Sequence, residues 1–373
     1  MIIAGEVSGD LHGAALITEL RKIDPDIEIF GIGGDMMQAA GMKIIYHINR
    51  MAFLGFVEVV KHLPFIKKVQ HDLLKLVSEK DIKSVVLIDY PGFNLGIAKK
   101  LKRLRVKIIY YISPQVWAWG PGRIKKIKYL VNQMLVVLPF EEEIFQNAGV
   151  NVEFVGHPLP ERIANHNYLQ HDELFEKFKL DVSKDILLIL PGSRKHEVEK
   201  IFPACIKAAE KLAEKFNLQI ITACSAGIDE NIFRRISVNG NFIVIKGYTY
   251  DLMKFAKLGI VKSGTSTLEA GLLGLPIVIV YRTNYLTYLI GKSLVKLKSI
   301  GLVNIIAGER VVPELIQNSA NSSSIYKECT KILSDIQLYN SIKKKLSCVK
   351  EKLNTERASL KAAQAVYAII NEA

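Results

Sequence analysis

Ile186-Leu-Leu-Ile-Leu190 runs straight into Pro191-Gly-Ser-Arg194, and a helical stretch follows from Val198 to Phe216. Five apolar residues without polar alternation suit a strand covered on both faces, as in a parallel sheet. Strand, glycine-bearing turn and helix together make half of a βαβ unit. Working outward, the same kind of run recurs at Val85–Asp89, Lys107–Ile112, Met134–Leu138, Gln219–Ala223, Phe242–Ile245 and Pro276–Val280. Helical stretches such as Leu95–Leu104 and Ser266–Leu273 lie between them. The alternation predicts an α/β fold of doubly wound parallel sheets.

The pattern breaks near Gly156-His-Pro158, and residues 159–184 are polar and charged before the next strong strand. We place the domain junction there, giving residues 1–160 and 181–345 as two Rossmann-like domains of similar size facing a central cleft. A length of 373 residues fits two domains. The tail from Ser324 onward reads as helix only, with Leu346, Val349, Leu353 and Leu360 as its apolar positions. The first strand has only Met1, Ile2 and Ile3 before its loop, shorter than the usual five or six. This points to a true start codon several residues upstream.

Composition narrows the function. Hydrophobic residues make up 49% and charged residues 23%, an ordinary globular balance that argues against disorder. The longest uncharged stretch, Ile108–Gly122, is 15 residues and carries two prolines, short of the roughly 20 needed to span a bilayer. The N-terminus lacks a basic region before its apolar residues, so it does not read as a signal peptide. Cys205, Cys224, Cys329 and Cys348 form no C-x-x-C and lie near no zinc-spaced histidine pair, so a reducing cytosol without a structural metal is expected. The net charge of +13 is uneven: Lys43–Lys128 holds 18 Lys/Arg against 5 Asp/Glu. Such a half wants an anionic partner: nucleic acid, an anionic membrane or a phosphorylated substrate. Nucleic acid is disfavoured, because neither a reader fold nor basic residues interleaved with aromatics is visible.

Several strings carry chemistry. Gly5-Glu-Val-Ser-Gly-Asp-Leu-His-Gly13 follows the first strand and opens a helix; in open α/β sheets such loops line the ligand crevice. Its simplest alternative is a tight turn with Ser8 or Asp10 as N-cap. Asp89-Tyr-Pro-Gly-Phe-Asn94 puts a carboxylate at a strand's end, as a general base or as a helix cap. Ser113-Pro-Gln-Val-Trp-Ala-Trp-Gly-Pro-Gly122 is apolar and stiff, suited to a greasy pocket or to packing between domains. Gly192 and Ser193 with Arg194 suit a diphosphate, or form a turn with a surface arginine. Ser263-Gly-Thr-Ser-Thr-Leu-Glu269 sets hydroxyls at a helix start, where phosphate binds, with Glu269 one turn on to hold ribose; it also reads as a plain N-cap. The stretch Met51–Lys68, with Met51, Phe53, Leu54, Phe56 and Phe65 followed by Lys67 and Lys68, is an interfacial membrane element if exposed and core if not. His47, His62, His71, His166 and His171 read as structural or surface residues, while His12 and His157 fall in cleft loops.

Taken together, these strings resemble lipid-A-disaccharide synthase, a GT-B glycosyltransferase family (family 19) of Gram-negative bacteria. The resemblance rests on Gly5–Gly13, Gly55-Phe-Val-Glu-Val59, Asp89–Asn94, Ser113–Trp119, Leu138-Pro-Phe-Glu141, Gly156-His-Pro158, Leu190–Arg194, Ser263–Glu269 and Asn304–Gln317, in the family's order. Ser-Pro-x-Val-Trp-Ala-Trp together with Pro-Gly-Ser-Arg is the specific part.

The resemblance implies UDP-2,3-diacylglucosamine as donor and 2,3-diacylglucosamine 1-phosphate (lipid X) as acceptor. The product is the β-1′,6 disaccharide 1-phosphate plus UDP, formed with inversion and without a metal or other cofactor. It implies a cytoplasmic protein, peripheral on the anionic cytoplasmic face of the inner membrane. It also implies that residues 346–373 pack back on the first domain, or exchange with a partner chain; the oligomeric state stays open. Asp89 is the first choice of base and Asp10 the second. Ser8, Gly9 and His12 belong to the acceptor loop. On the donor side stand Gly192, Ser193, Arg194, Ser263, Gly264, Thr265 and Glu269, with Gly247 and Tyr248 reading the uracil and Asn304 and Gln317 carried over from the family's C-terminal motif. The alternative enzyme is a UDP-sugar epimerase on the same two-domain fold, which needs no acyl-binding surface.

Overall fold

The computed structural model describes residues 1–51, 62–114, 116, 122–283, 299–353 and 357–372. It divides into two compact units, residues 1–161 with 353–373, and residues 162–352.

The first unit holds a seven-stranded, all-parallel sheet: β1 (Ile2–Ala4), β2 (Phe30–Gly33), β3 (Lys43–His47), β4 (Ser84–Ile88), β5 (Lys107–Tyr111), β6 (Gln133–Val136) and β7 (Val152–Phe154). Their order in space is 3-2-1-4-5-6-7. The second unit holds a six-stranded parallel sheet: β8 (Asp185–Leu190), β9 (Leu218–Cys224), β10 (Ile243–Lys246), β11 (Ala256–Lys262), β12 (Ile277–Tyr281) and β13 (Glu314–Ile316), ordered 10-9-8-11-12-13. Both are Rossmann-like orders, and each reverses direction once: between β1 and β4, and between β8 and β11. Connections from the two sides diverge there and leave a crevice at the strands' carboxyl ends. The motif segments Gly5–Asp10 and Asp89–Asn94, each a short turn running into a helix, flank the first reversal, and Pro191–Arg194 and Ser263–Glu269 flank the second.

The apolar runs form central strands because both faces are covered. Val85–Ile88, Ile108–Tyr111 and Ile186–Leu190 are buried at every position. The short strands β2, β3, β7 and β13 have no strong run to announce them. Beyond Leu353 the chain returns to the first unit. There the helix Ala358–Asn371 lays Ala362, Ala363 and Val366 against the helix Val7–Ile23. The Ser359 N–H donates to Glu161 Oε2 at 3.2 Å. The tail is helical, at Ser322–Ser334, Ile336–Leu353 and Ala358–Asn371.

The apolar stretch read as membrane-facing changes in one place. Met51 is fully buried in the first unit's core, because the short 3-10 turn Ile48–Arg50 turns it inward. It is therefore a packing residue and not a membrane contact. Phe65 is half-buried, edge-on to Tyr46 at 6.0 Å, while Lys67 and Lys68 are exposed. Phe53, Leu54, Phe56 and both tryptophans lie outside the described residues. Among the described residues no helix is long and apolar enough to cross a membrane.

Candidate active site

The two carboxylates weighed as base are in different situations. Asp10 lies inside the helix Val7–Ile23, whose N-cap is Glu6. Its carboxylate reaches across to another helix, Asp35–Ala39. Oδ1 accepts from the N–H groups of Gly34 (2.7 Å) and Met37 (3.0 Å), and Oδ2 from that of Met36 (3.1 Å). These donors are among the orphans of a helix start, and the helix dipole favours a negative charge beside them. Asp10 is thus committed as a cap, though of a helix remote in sequence.

Asp89 does not cap the helix Pro91–Arg103, whose N-cap is Tyr90 without a side-chain cap bond, although the Tyr90 backbone N–H bonds the Asp89 carboxyl. Asp89 and Tyr90 take left-handed backbone conformations in succession, φ 44° and 45°. Such geometry costs a non-glycine residue roughly 1–3 kcal/mol and persists only where neighbours enforce it. Here four bonds do so. The Tyr110 hydroxyl donates to the Asp89 carbonyl at 2.6 Å, and Asn94 Nδ2 donates to the same carbonyl at 2.8 Å and to that of Ile88 at 3.1 Å. The Asp89 N–H donates to the Tyr111 carbonyl at 3.1 Å. Tyr90 is itself tied down, donating to the Met51 carbonyl at 2.9 Å. Its ring lies where only glycine fits, since a Cβ on Gly5 would stand 2.2 Å from Tyr90 Cδ1. Burial, and then the charge of Glu6, push the Asp89 carboxyl up to about 6. A carboxyl poised near neutral pH at a sheet's switch point has the properties of a general base.

Around it, Ser8 is exposed in the first turn of its helix. Gly9 lets that helix close on β1: a Cβ there would sit 3.2 Å from that of Ala4. The His12 ring stands edge-on to His157 at 6.4 Å. His157 Nδ1 accepts the Leu159 N–H at 3.1 Å, which puts its own proton on Nε2. Burial, and then His12, lower the His157 pKa to about 3, so the ring is neutral. Ser113 donates to Glu141 at 2.6 Å, which holds the chain just beyond β5.

In the second unit, Gly192 takes φ 135°, and a Cβ on it would meet Glu197 Oε2 at 2.6 Å. Only glycine leaves room for that carboxylate beneath the loop. Arg194 is half-exposed at the start of the helix Lys195–Phe216. Gly247, at φ 91°, has open space where its side chain would be. Tyr248 packs edge-on to Phe178 at 5.1 Å. The Ser263 hydroxyl donates to the Ile300 carbonyl at 3.2 Å, and Gly264 and Thr265 begin the helix Thr265–Leu272. Glu269 accepts from Tyr250 at 2.8 Å; burial raises its pKa, against Tyr250, Arg162 and Ser266. Tyr250 lies under the Arg162 guanidinium and edge-on to His166, and His166 pairs with Asp251 at 3.0 Å. This support behind Glu269 joins segments some hundred residues apart, and no local motif announces it.

Asn304 departs from the donor-contact expectation. It is fully buried, with both amide protons given to Val312 O (2.9 Å) and Glu314 Oε1 (2.8 Å). Its Oδ1 accepts from Val311 and Val312 at 2.9 and 3.0 Å. An amide has two donors and two acceptor sites, all spent here, so Asn304 holds the 311–314 turn and has nothing left for a sugar. Gln317, at φ 54°, is bound to the Thr283 backbone at both ends of its amide and lines a cavity of about 450 Å³ with Arg282 and Lys200.

The comparisons agree on kinship. The family described as lipid-A-disaccharide synthetase matches residues 1–369. The lipid-A-disaccharide synthase of Geobacter sulfurreducens is 40% identical, covering 100% of this chain and 97% of its own. That of Myxococcus xanthus is 35% identical over 99% and 97%. Among solved structures, the chain superposes on Staphylococcus aureus MnaA in complex with UDP (TM-score 0.70, 12% identity, 100% and 96% covered). It also superposes on the glycosyltransferase of kitacinnamycin (TM-score 0.64, 12% identity, 100% and 98% covered). The structural likenesses show the GT-B fold alone, whereas the sequence matches show descent: the chain belongs to the lipid-A-disaccharide synthase family, glycosyltransferases of lipid A biosynthesis.

Proposed function

We propose that the protein joins UDP-2,3-diacylglucosamine to 2,3-diacylglucosamine 1-phosphate, inverting the donor's anomeric carbon and releasing UDP. The observation that carries this is Asp89: strained, clamped through its carbonyl, its carboxyl poised near 6 and spent on no helix cap. The acceptor 6-hydroxyl loses its proton to Asp89 as its oxygen attacks the anomeric carbon. The bond to the UDP oxygen breaks on the opposite face through an oxocarbenium-like state. Negative charge gathering on the diphosphate meets Arg194, the Gly192–Ser193 amides and the helix start at Ser263–Thr265. Glu269 holds the ribose, and Gly247–Tyr248 faces the uracil. Ser8, Gly9 and His12 border the acceptor.

Both substrates are acylated, and exposed Lys67 and Lys68 at the start of the helix Leu63–Glu79 support peripheral attachment to an anionic inner-membrane surface. The deciding assay incubates the protein with both substrates in detergent and weighs the products. Disaccharide 1-phosphate requiring both substrates supports the reading. Donor turned over to a different UDP-sugar, without acceptor, would favour epimerisation.

A further inference from the structure

Between the two loops assigned to the diphosphate lies a charge that neither motif contains. Lys262 closes β11, immediately before Ser263. Its side chain is 19% exposed, and its ammonium is 2.8 Å from Glu197 Oε1 and 3.8 Å from where a Cβ on Gly264 would stand. The other oxygen of Glu197 accepts the Ser193 N–H at 3.1 Å, and Arg194 reaches Oε1 at 3.9 Å. One carboxylate therefore collects a loop amide, a guanidinium and an ammonium, an arrangement an incoming phosphate would want for itself. Burial opposes ionisation of Glu197, but the Lys262 and Ser193 bonds outweigh it and hold its pKa below the ordinary value. Two cations against one carboxylate leave a positive charge in surplus beside a helix start, where an anion is stabilised further.

We propose that Lys262 is a further contact to the donor diphosphate, held between the two loops by Glu197 until the phosphates arrive. The proposal rests on the reading that this unit holds the UDP moiety. An ammonium at this position acts on phosphate and not on the nucleoside, which separates the two ideas experimentally.

Calorimetric affinities for UDP and for uridine are compared in the full-length protein, in Lys262→Met, and in Lys262→Met with Glu197→Gln. The double variant removes the pair as a neutral unit and leaves no partly buried charge unpaired. Wild type is expected to prefer UDP over uridine. Lys262→Met should lose about tenfold of that preference, the size of one charge-assisted bond. The double variant also removes the carboxylate competing for the Arg194 guanidinium and the Ser193 N–H, so it should lose less, with uridine affinity unchanged in both. A Lys262→Met variant with the wild-type UDP-to-uridine ratio would overturn the role of Lys262 and leave the donor site standing. A wild type that does not distinguish UDP from uridine would overturn the donor-site reading, and this proposal with it.

Discussion

The Tyr110 hydroxyl, carried on a fully buried side chain of β5, donates at 2.6 Å to the carbonyl of Asp89 at the end of β4. It is the shortest of the bonds holding Asp89 in the left-handed region, and it puts a core residue in charge of where a candidate catalytic carboxylate points. Burial, and then the charge of Asp89, raise the Tyr110 pKa well above the ordinary phenol value, so the hydroxyl stays a donor throughout the working pH range. Tyr110→Phe should cost about 0.5–1.5 kcal/mol in chemical denaturation, because the Asp89 carbonyl loses one of its two donors and keeps Asn94. It should lower kcat more than it raises either KM. A variant with wild-type kcat would detach Tyr110 from the chemistry.

Asp89 has opposite consequences for activity and for stability. As a base with a pKa of about 6 it should give a rate that climbs as pH rises through 6, and Asp89→Asn should remove that limb and cost 10²–10⁴ in kcat. For the fold the sign is reversed. A carboxyl raised from 3.8 to about 6 favours the folded state below pH 4, and that contribution is lost as pH rises through 6. Asp89→Asn should therefore be more stable than wild type at pH 7.5 by about 1–3 kcal/mol, and no more stable at pH 4. Denaturant curves at the two pH values check the difference.

Asp10→Ala tests the cap. Three backbone donors of residues 34–37 lose their acceptor, and the expected loss is about 1–2 kcal/mol, with Asp10→Asn intermediate. The activity remaining should keep its acid limb near pH 6. A limb that vanishes in Asp10→Asn would move the base to Asp10.

For Asn304→Ala the prediction is structural. Four polar groups of residues 311–314, the N–H and carbonyl of Val312 among them, lose their bonds to Asn304, so about 2–4 kcal/mol of stability should go. UDP affinity measured on the folded fraction should be unchanged. A stable variant with weakened UDP binding would restore Asn304 to the donor site.

Tyr250→Phe removes the phenol bond to Glu269 while keeping the ring under Arg162. Donor KM should rise roughly 3- to 10-fold, with kcat within twofold of wild type. An unchanged KM would separate Glu269's orientation from donor binding.

The apolar runs by themselves determined the two parallel sheets, because a strand covered on both faces has to be apolar at every position. The glycine-bearing motifs likewise determined which loops cap the switch points, since strand, turn and helix follow one another locally. Tertiary structure alone decided what each polar group does there. Asp10 and Asp89 look equivalent as loop carboxylates, but Asp10 meets amides 24 to 27 positions away, and Asp89 is half-buried, near Glu6 and under a clamp from β5. Asn304 sits in a motif yet is used up internally, and Met51 opens an apolar stretch yet turns into the core. Lys262 and Glu197 lie 65 positions apart and meet because β8 and β11 are neighbours in the sheet. Periodicity records which face of an element is covered. Hydrogen-bond and charge partners are set by strand order, which no local pattern carries.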